Sequence, residues 1–183
     1  MKKLNLGCGS NKLDGFLNID TELSCKPDYC CDFTVDRLPN KPDTVDEIVM
    51  FHTIEHISKH KHKHIIDEIW RVLKPGSPVI FSYPEFLKCV DNWKNNEKGK
   101  KDFWEATLYG RQLYPSDYHV CIMHTPDFIR FLEGEGFTGI RSLAEPSEPY
   151  NTILTCVKGK KPPTYVDLMR DHMNKVKFEK MRK

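Results

Sequence analysis

The chain has 183 residues, of which 39% are hydrophobic and 30% are charged. This length lets one domain bury a core without disulfide or metal support, and the composition excludes a disordered or fibrous protein. No apolar run approaches the ~18 residues that a membrane span requires, and the Met-Lys-Lys-Leu start is too short for a signal peptide. We therefore expect a cytoplasmic protein without membrane contact, whose seven cysteines are thiols.

The net charge of +2 is unevenly distributed along the chain. Residues 159–183 contain eight Lys/Arg and three Asp/Glu, so this segment carries +5 and residues 1–158 carry −3. We predict one domain over residues 1–158, followed by a basic linker and an amphipathic helix over 164–182. A basic tail favours anionic partners such as nucleic acid, and it is also a common solubilising end.

The first twenty residues combine a strand, a glycine turn and an acidic side chain. Leu4–Leu6 predicts a short buried strand that continues into Gly7-Cys8-Gly9, where the backbone can turn sharply and approach a ligand closely. A second apolar run, 16–19, ends on Asp20. A carboxylate at a strand tip beside a glycine turn binds the ribose in nucleotide-binding α/β folds. Taken alone, the pattern also fits a tight turn between two strands.

Downstream, predicted strands alternate with predicted helices. Strands are expected over 30–33, 46–51, 78–83, 139–143 and 151–157, and helices after Ser58, over 101–109 and from Thr125. This alternation predicts a parallel, doubly wound sheet whose ligand crevice lies outside the carboxyl ends of the strands. The stretches at that edge whose residues could bind a ligand or take part in catalysis are Gly7–Gly9, Asp20, Asp32, His52–Glu55 and Tyr83–Glu85.

The order of these stretches resembles a class I S-adenosylmethionine-dependent methyltransferase. The residues that carry the resemblance are LNLGCG, NID, CDF…RLP, DEIVMFHTIEHI and IWRVLKPGSPVIFSYP, and they are similar to the small bacterial and phage type 11 enzymes over roughly residues 3–84. The resemblance implies a Rossmann-like sheet of about seven strands with the last strand antiparallel. It also implies S-adenosylmethionine as cofactor. LYGRQLYPSDYH is similar to a subset associated with surface polysaccharide synthesis, which is an analogy only.

The resemblance assigns a role to each part of the cofactor site. It implies that Asp20 accepts hydrogen bonds from the ribose hydroxyls. The chain departs from the family at one point, because only ten residues separate Gly9 from Asp20, too few for the full helix that usually joins these two strands. We therefore expect the first crossover helix to be shortened or missing, and residues 85–124 to form the acceptor and lid insertion. The implied cofactor-binding residues are Leu6, Gly7, Cys8, Gly9, Asp20, Asp32, Phe33, His52 and Thr53.

Methyl transfer requires alignment of the nucleophile and exclusion of water, and a base only when the nucleophile arrives protonated. His119 is the first candidate base because its ordinary pKa suits proton transfer, and Glu55 and His52 come next. A surface or structural role for His119 is an equal alternative. The residues predicted to contact the acceptor are Tyr83, Glu85, Tyr109, Arg111, Tyr118 and His119.

The histidines at 52, 56, 60, 62 and 64 do not predict a metal site. Their spacing on a helix start spreads the rings around the axis, and no cysteine or carboxylate set at tetrahedral spacing accompanies them. Cys25, Cys30 and Cys31 lack a paired C-x-x-C pattern. The expectation from the sequence is therefore no metal.

Three functions remain open at this point. The first is S-adenosylmethionine-dependent methylation of a small-molecule or sugar-like acceptor, with O-methylation favoured, by a monomer or homodimer. The second is a nucleic-acid or protein methyltransferase that uses the basic tail, with Trp93 and Trp104 among lysines as base-stacking candidates. The third is a donor-binding partner protein without catalysis. Nucleic acid is not favoured, because the fourth strand ends in FHTIE rather than in the Pro-Pro-aromatic sequence typical of base-amino methyltransferases.

Overall fold

The computed structural model describes residues 1–160, apart from the side chain of Lys98. The helix predicted over 164–182 lies outside the described residues. The seven strands are β1 (Lys3–Leu6), β2 (Leu17–Asp20), β3 (Tyr29–Cys30), β4 (Glu47–Phe51), β5 (Pro78–Pro84), β6 (Phe137–Ala144) and β7 (Asn151–Lys158). The four α-helices in this part of the chain are α1 (Lys59–Val72), α2 (Phe86–Lys94), α3 (Lys101–Tyr109) and α4 (Thr125–Gly134).

All seven strands form one sheet in the order β3-β2-β1-β4-β5-β7-β6. Strands β1 to β5 pair in parallel, and β7 is antiparallel to both of its neighbours, β5 and β6. This confirms the predicted Rossmann-like sheet with an antiparallel last strand. The carboxyl ends of β1, β2, β4 and β5 therefore meet at one edge, which is where a ligand site is expected.

The connection between β1 and β2 contains no α-helix. Residues 7–16 form turns, and the next connection, 21–28, contains a single 3-10 turn at Leu23–Cys25. The predicted loss of the first crossover helix is thus confirmed. The ends of β1 and β2 are joined by loop backbone, which must be fixed by contacts other than helix packing.

One face of the sheet carries the main hydrophobic core. Leu4, Ile48 and Phe81 alternate along their strands with residues that point to the opposite face, and they pack with Ile66 of α1 and Leu132 of α4. The alternation fixes which strand residues face these helices. It also places Tyr83, two residues beyond Phe81, on the same buried face.

The insertion between β5 and α4 is more regular than the sequence indicated. The helix predicted at 101–109 is present as α3, but α2 was not predicted. The strand predicted over 30–33 is also corrected, because the β3 ladder contains only Tyr29–Cys30, and Phe33 turns into the main core. Among residues 1–160, no helix has the length and apolar character needed to cross a bilayer.

Candidate active site at the carboxyl edge of the sheet

The glycine turn after β1 is held against β2 by backbone hydrogen bonds. The amides of Gly7 and Cys8 both donate to the carbonyl of Ile19, at 2.9 and 3.1 Å. Gly7 has a φ of +68°, and a β-carbon there would overlap the side chain of Thr53. The position requires glycine for two reasons: its left-handed conformation and its close approach to Thr53.

Gly9 is tied to the acidic residue at the end of β2. Its amide donates to Asp20 Oδ2 at 2.7 Å, and the amide of Glu22 donates to Asp20 Oδ1 at 2.9 Å. A β-carbon added at Gly9 would meet no atom within 4 Å. Asp20 therefore fixes the turn, while the space beside Gly9 stays open at the sheet edge.

Two buried asparagines hold the loop that replaces the first crossover helix. Asn5 Nδ2 donates to Asn18 Oδ1 at 2.9 Å and to the carbonyl of Asn11 at 3.0 Å. Asn18 also accepts from the amide of Leu13 at 2.9 Å, and its Nδ2 donates to Asp28 Oδ2 at 2.8 Å. The network ties residues 11–13 to both strands, so the loop is anchored without a helix.

The segment that follows β3 contains Asp32 and Phe33, two of the implied cofactor-binding residues. Asp32 is half-buried, and its Oδ1 accepts from the amide and hydroxyl of Thr34 at 3.1 and 2.6 Å. Phe33 is buried in the main core, with 5% of its surface exposed. Asp32 thus lies beyond the β3 ladder at the same side of the sheet as Asp20.

The end of β4 places the predicted residues His52 and Thr53 beside the neighbouring strands. His52 has a φ of +48° and its amide donates to the carbonyl of Ser82 at 2.8 Å. The buried hydroxyl of Thr53 donates to the carbonyl of Phe51 at 2.9 Å and lies 3.2 Å from that of Gly7. Thr53 therefore links the tip of β4 to the glycine turn of β1.

Glu55 is the most deeply buried acidic side chain at this edge, with 1% of its surface exposed. His52 Nδ1 lies 3.5 Å from Glu55 Oε1, which is long for a hydrogen bond, and the nearby carboxylate raises the pKa of His52. Within residues 1–160, neither carboxylate oxygen of Glu55 has a hydrogen-bond partner. A buried carboxylate without hydrogen bonds favours the approach of a hydrogen-bond donor or a cation.

The segment 118–121 places His119 next to Glu55. The amides of Val120 and Cys121 donate to the carbonyl of Glu55 at 2.9 and 3.1 Å. The rings of His119 and His56 meet edge to face with centroids 4.7 Å apart. Burial lowers the pKa of His119. The structure thus brings together all three predicted catalytic residues, His119, Glu55 and His52.

His119 also lines a cavity of about 410 Å³. Its walls come from α2, from α3 and from the segment 119–122, and they are mostly apolar and aromatic. The polar side chains at the cavity include His119, Tyr109 and Glu105. The lining residues are Phe86, Val90, Trp93, Glu105, Leu108, Tyr109, His119, Val120, Cys121 and Ile122.

The predicted acceptor residues separate into two groups. Tyr109 and His119 line the cavity, and the exposed Arg111 and Tyr118 lie nearby in sequence. Tyr83 is a correction: it is fully buried, its hydroxyl lies 3.3 Å from Thr125 Oγ1, and burial raises its pKa to about 12.

Glu85 is also a correction to the predicted acceptor contacts. It caps α2, because its Oε2 accepts from the amide of Lys88 at 3.0 Å, and 6% of its surface is exposed. Sequence reasoning also missed the cavity wall on α2. The spacing of Phe86, Val90 and Trp93 after Glu85 is the helical signal that could have indicated it.

The strand order, the glycine turn and the acidic end of β2 define a class I S-adenosylmethionine-dependent methyltransferase fold. Its solved structural neighbours include a methyltransferase of this kind from Archaeoglobus fulgidus, with 13% identity over 86% of each chain and a TM-score of 0.62. A second, from Methanosarcina mazei, has 16% identity over 87% of this chain and 93% of that chain, with a TM-score of 0.59.

A third neighbour is a methyltransferase from Haloferax volcanii, solved in complex with the Trm112 methyltransferase activator. It has 15% identity over 87% of this chain and 83% of that chain, with a TM-score of 0.56. A comparison with curated proteins gave no sequence match. Residues 4–81 match the type 11 family described as a methyltransferase domain. This match covers less than half of the chain, and the solved neighbours show that the fold is shared. Together they indicate S-adenosylmethionine as the cofactor.

The residues at the sheet edge fit this cofactor. The open space beside Gly9 admits a ligand against loop backbone. Each Asp20 oxygen already accepts one amide but keeps further acceptor capacity, which two ribose hydroxyls can use. Because residues 7–16 contain no helix, the cofactor must depend on this backbone and on Asp20 rather than on a helix dipole.

Proposed function

We propose that this protein transfers the methyl group of S-adenosylmethionine to an oxygen atom of a small molecule bound in the cavity beside His119. The proposal rests on one observation: His119 lies next to Glu55, which pairs with His52, and His119 also forms part of the cavity wall. A volume of about 410 Å³ lies in the range of pockets that enclose small molecules. The apolar and aromatic lining favours an acceptor with a ring or another flat apolar surface.

For this reaction the protein must align the acceptor with the methyl group and provide a group that accepts one proton. S-adenosylmethionine supplies an electrophilic methyl group, whose C–S bond breaks as the new O–C bond forms. An acceptor hydroxyl must lose its proton in the process, and the groups beside it are His119 and the Glu55–His52 pair. The apolar side chains of α2 and α3 would orient the acceptor and exclude water.

The described residues give less support to a nucleic-acid substrate. Trp104, a predicted stacking residue, is 5% exposed and packs against Tyr150 with ring centroids 5.1 Å apart. Trp93 contributes to the cavity wall, and its indole N–H donates to Glu105 at 3.1 Å. Base stacking requires exposed ring faces. Because Trp104 is buried and Trp93 contributes to the cavity wall, neither ring forms an open nucleic-acid platform.

The test is a turnover assay with a cavity-blocking variant. The full chain is incubated with S-adenosylmethionine and a panel of hydroxylated acceptors, from phenols to nucleotide sugars, and formation of S-adenosylhomocysteine is measured. Val90→Trp should fill the cavity and abolish turnover while leaving S-adenosylhomocysteine binding intact. Leu87→Trp is the matched control, because Leu87 lies on the same helix but is 50% exposed and does not line the cavity.

Two results would contradict the proposal. Turnover on RNA or on a protein that Val90→Trp leaves unchanged would place the acceptor elsewhere and favour the macromolecular alternative. Tight S-adenosylhomocysteine binding without turnover on small molecules, RNA or protein would favour a donor-binding partner protein.

A further inference from the structure

The buried Glu55 carboxylate needs a positive charge that the described residues do not fully supply. It is 1% exposed, and within the range 1–160 both of its oxygens lack hydrogen-bond partners. His52 approaches only to 3.5 Å, and its own side chain is 47% exposed. Burying an ionised carboxylate without hydrogen bonds or a close counter-charge is costly. A cation bound at Glu55 would remove this cost.

Two histidines lie close enough to Glu55 to bind the same cation. One ligand atom from each of Glu55, His56 and His119 lies within 4.8 Å of those of the other two. Zn²⁺ holds nitrogen and oxygen ligands at about 2.0–2.2 Å, so small side-chain rotations would let the three converge on one ion. Two histidines and one glutamate are also a ligand set that catalytic zinc uses, with one position left open.

The ring of His56 is oriented by a backbone carbonyl, because its Nδ1 lies 3.0 Å from the carbonyl of Tyr118. When one ring nitrogen donates to a carbonyl, the other keeps its lone pair for a metal. Metal-binding histidines are typically held in this way, because the hydrogen bond fixes the tautomer and the ring direction.

We propose that Glu55, His56 and His119 bind a divalent metal ion of the Zn²⁺ type. His119 also forms part of the cavity wall, so the open coordination position would face the acceptor. The use of the metal rests on the proposed function: an acceptor hydroxyl bound to it would be more acidic, which reduces the need for a separate base. The sequence predicted no metal for the histidines at 52, 56, 60, 62 and 64, and the proposed site departs from that prediction because Glu55 and His119 lie close to His56 in the fold.

Metal binding by the full chain tests the proposal without any acceptor. Metal-stripped protein is titrated calorimetrically with Zn²⁺ alone, and with Co²⁺ while ligand-field absorption is recorded. One ion per chain is expected. Glu55→Gln and His119→Ala should each weaken binding by more than about 100-fold, since partners outside the ligand set alone are worth about 10- to 100-fold. Binding of S-adenosylhomocysteine reports folding of each variant.

Control variants separate this site from other histidines. His60→Ala removes an exposed histidine at the start of α1 and should leave Zn²⁺ binding unchanged. His52→Ala tests the second group with ligand potential, which His52 forms with Glu145 and Glu148. The proposal is overturned if the folded wild type binds no stoichiometric Zn²⁺, or if binding depends on His52 or His60 and not on Glu55 and His119. Methyl transfer without Zn²⁺ binding would refute the metal site and leave the proposed function standing.

Discussion

Asn5 and Asn18 are direct neighbours on β1 and β2, and their side chains share a hydrogen bond of 2.9 Å in the buried part of the sheet. Together they occupy the place where packing of a crossover helix would otherwise fix the loop that follows β1. Through its side-chain hydrogen bonds, the pair anchors residues 11–13 to the two strands. The cofactor loop is therefore stabilised by polar contacts, each of which is directional and can be removed singly.

Asn18→Ala should destabilise the protein by about 2–4 kcal/mol, because it leaves Asn5 and the amide of Leu13 without a shared acceptor, and each buried unsatisfied group costs about 1–3 kcal/mol. Urea unfolding measures the free energy change. Asn11→Ala is the control, because Asn11 contributes its backbone carbonyl to the network rather than its exposed side chain. Equal losses in the two variants would show that the loop is not held by the Asn5–Asn18 pair.

Gly7 and Gly9 should respond differently to alanine. At Gly7, the β-carbon would overlap Thr53, whose hydroxyl is fixed by backbone carbonyls, so we expect a loss of about 2–4 kcal/mol from overpacking and strain together. At Gly9, the conformational cost alone applies, about 1–2 kcal/mol. The Gly9 β-carbon would instead enter the space assigned to the cofactor.

Thermal unfolding and S-adenosylhomocysteine binding distinguish these two effects. Gly7→Ala should lower the unfolding temperature more, whereas Gly9→Ala should mainly weaken binding. The reverse order would mean that the open space beside Gly9 is not used by the cofactor.

Asp20→Asn should weaken S-adenosylhomocysteine binding by about 10- to 100-fold, since a hydrogen bond to a charged group contributes about 1.5–3 kcal/mol. The amide can accept through one oxygen only, so it cannot serve both the Gly9 and Glu22 amides and the ribose hydroxyls. Calorimetric titration provides the affinity. Asp14→Asn, an exposed change in the same loop, should have no effect, and a comparable loss there would indicate general electrostatics rather than a direct contact.

The fold could largely be predicted because its signals are local. Apolar runs of three to seven residues defined the central strands, and the Thr125-Pro126-Asp127 start defined α4. The short spacing between Gly9 and Asp20 also predicted the missing helix. By contrast, the Asn5–Asn18 pair depends on the register between two strands, and a sequence pattern does not contain that information.

The sequence predicted that the site lies at the carboxyl edge of the sheet, but it did not predict every side-chain contact there. Tyr83 and Glu85 follow β5, so they were expected to contact the acceptor, but the pleat turns Tyr83 into the core and Glu85 caps α2. His119 was found through its residue type, while its approach to Glu55 depends on backbone hydrogen bonds from residues 120 and 121. A contact between residues this far apart in sequence is visible only in the folded chain.

The stability of the protein should fall below about pH 6.5 partly because of His62. This ring is buried on α1, and its Nε2 lies 2.9 Å from the carbonyl of Ile57, an arrangement that suits a neutral ring donating its N–H. Burial lowers the pKa of His62, so the unfolded chain takes up a proton at a pH where the folded chain does not. The contribution is therefore complete above the unfolded pKa and is lost as the pH falls toward the folded pKa.

Urea unfolding of the wild type, His62→Gln and His60→Gln at about pH 7.5 and pH 5.5 tests this linkage. Glutamine cannot titrate, so the decrease in unfolding free energy between the two pH values should be smaller in His62→Gln than in the wild type. His60 lies on the same helix but is exposed, and its replacement should leave the decrease unchanged. The same decrease in all three proteins would show that the acid sensitivity comes from carboxylates elsewhere, and that His62 does not carry it.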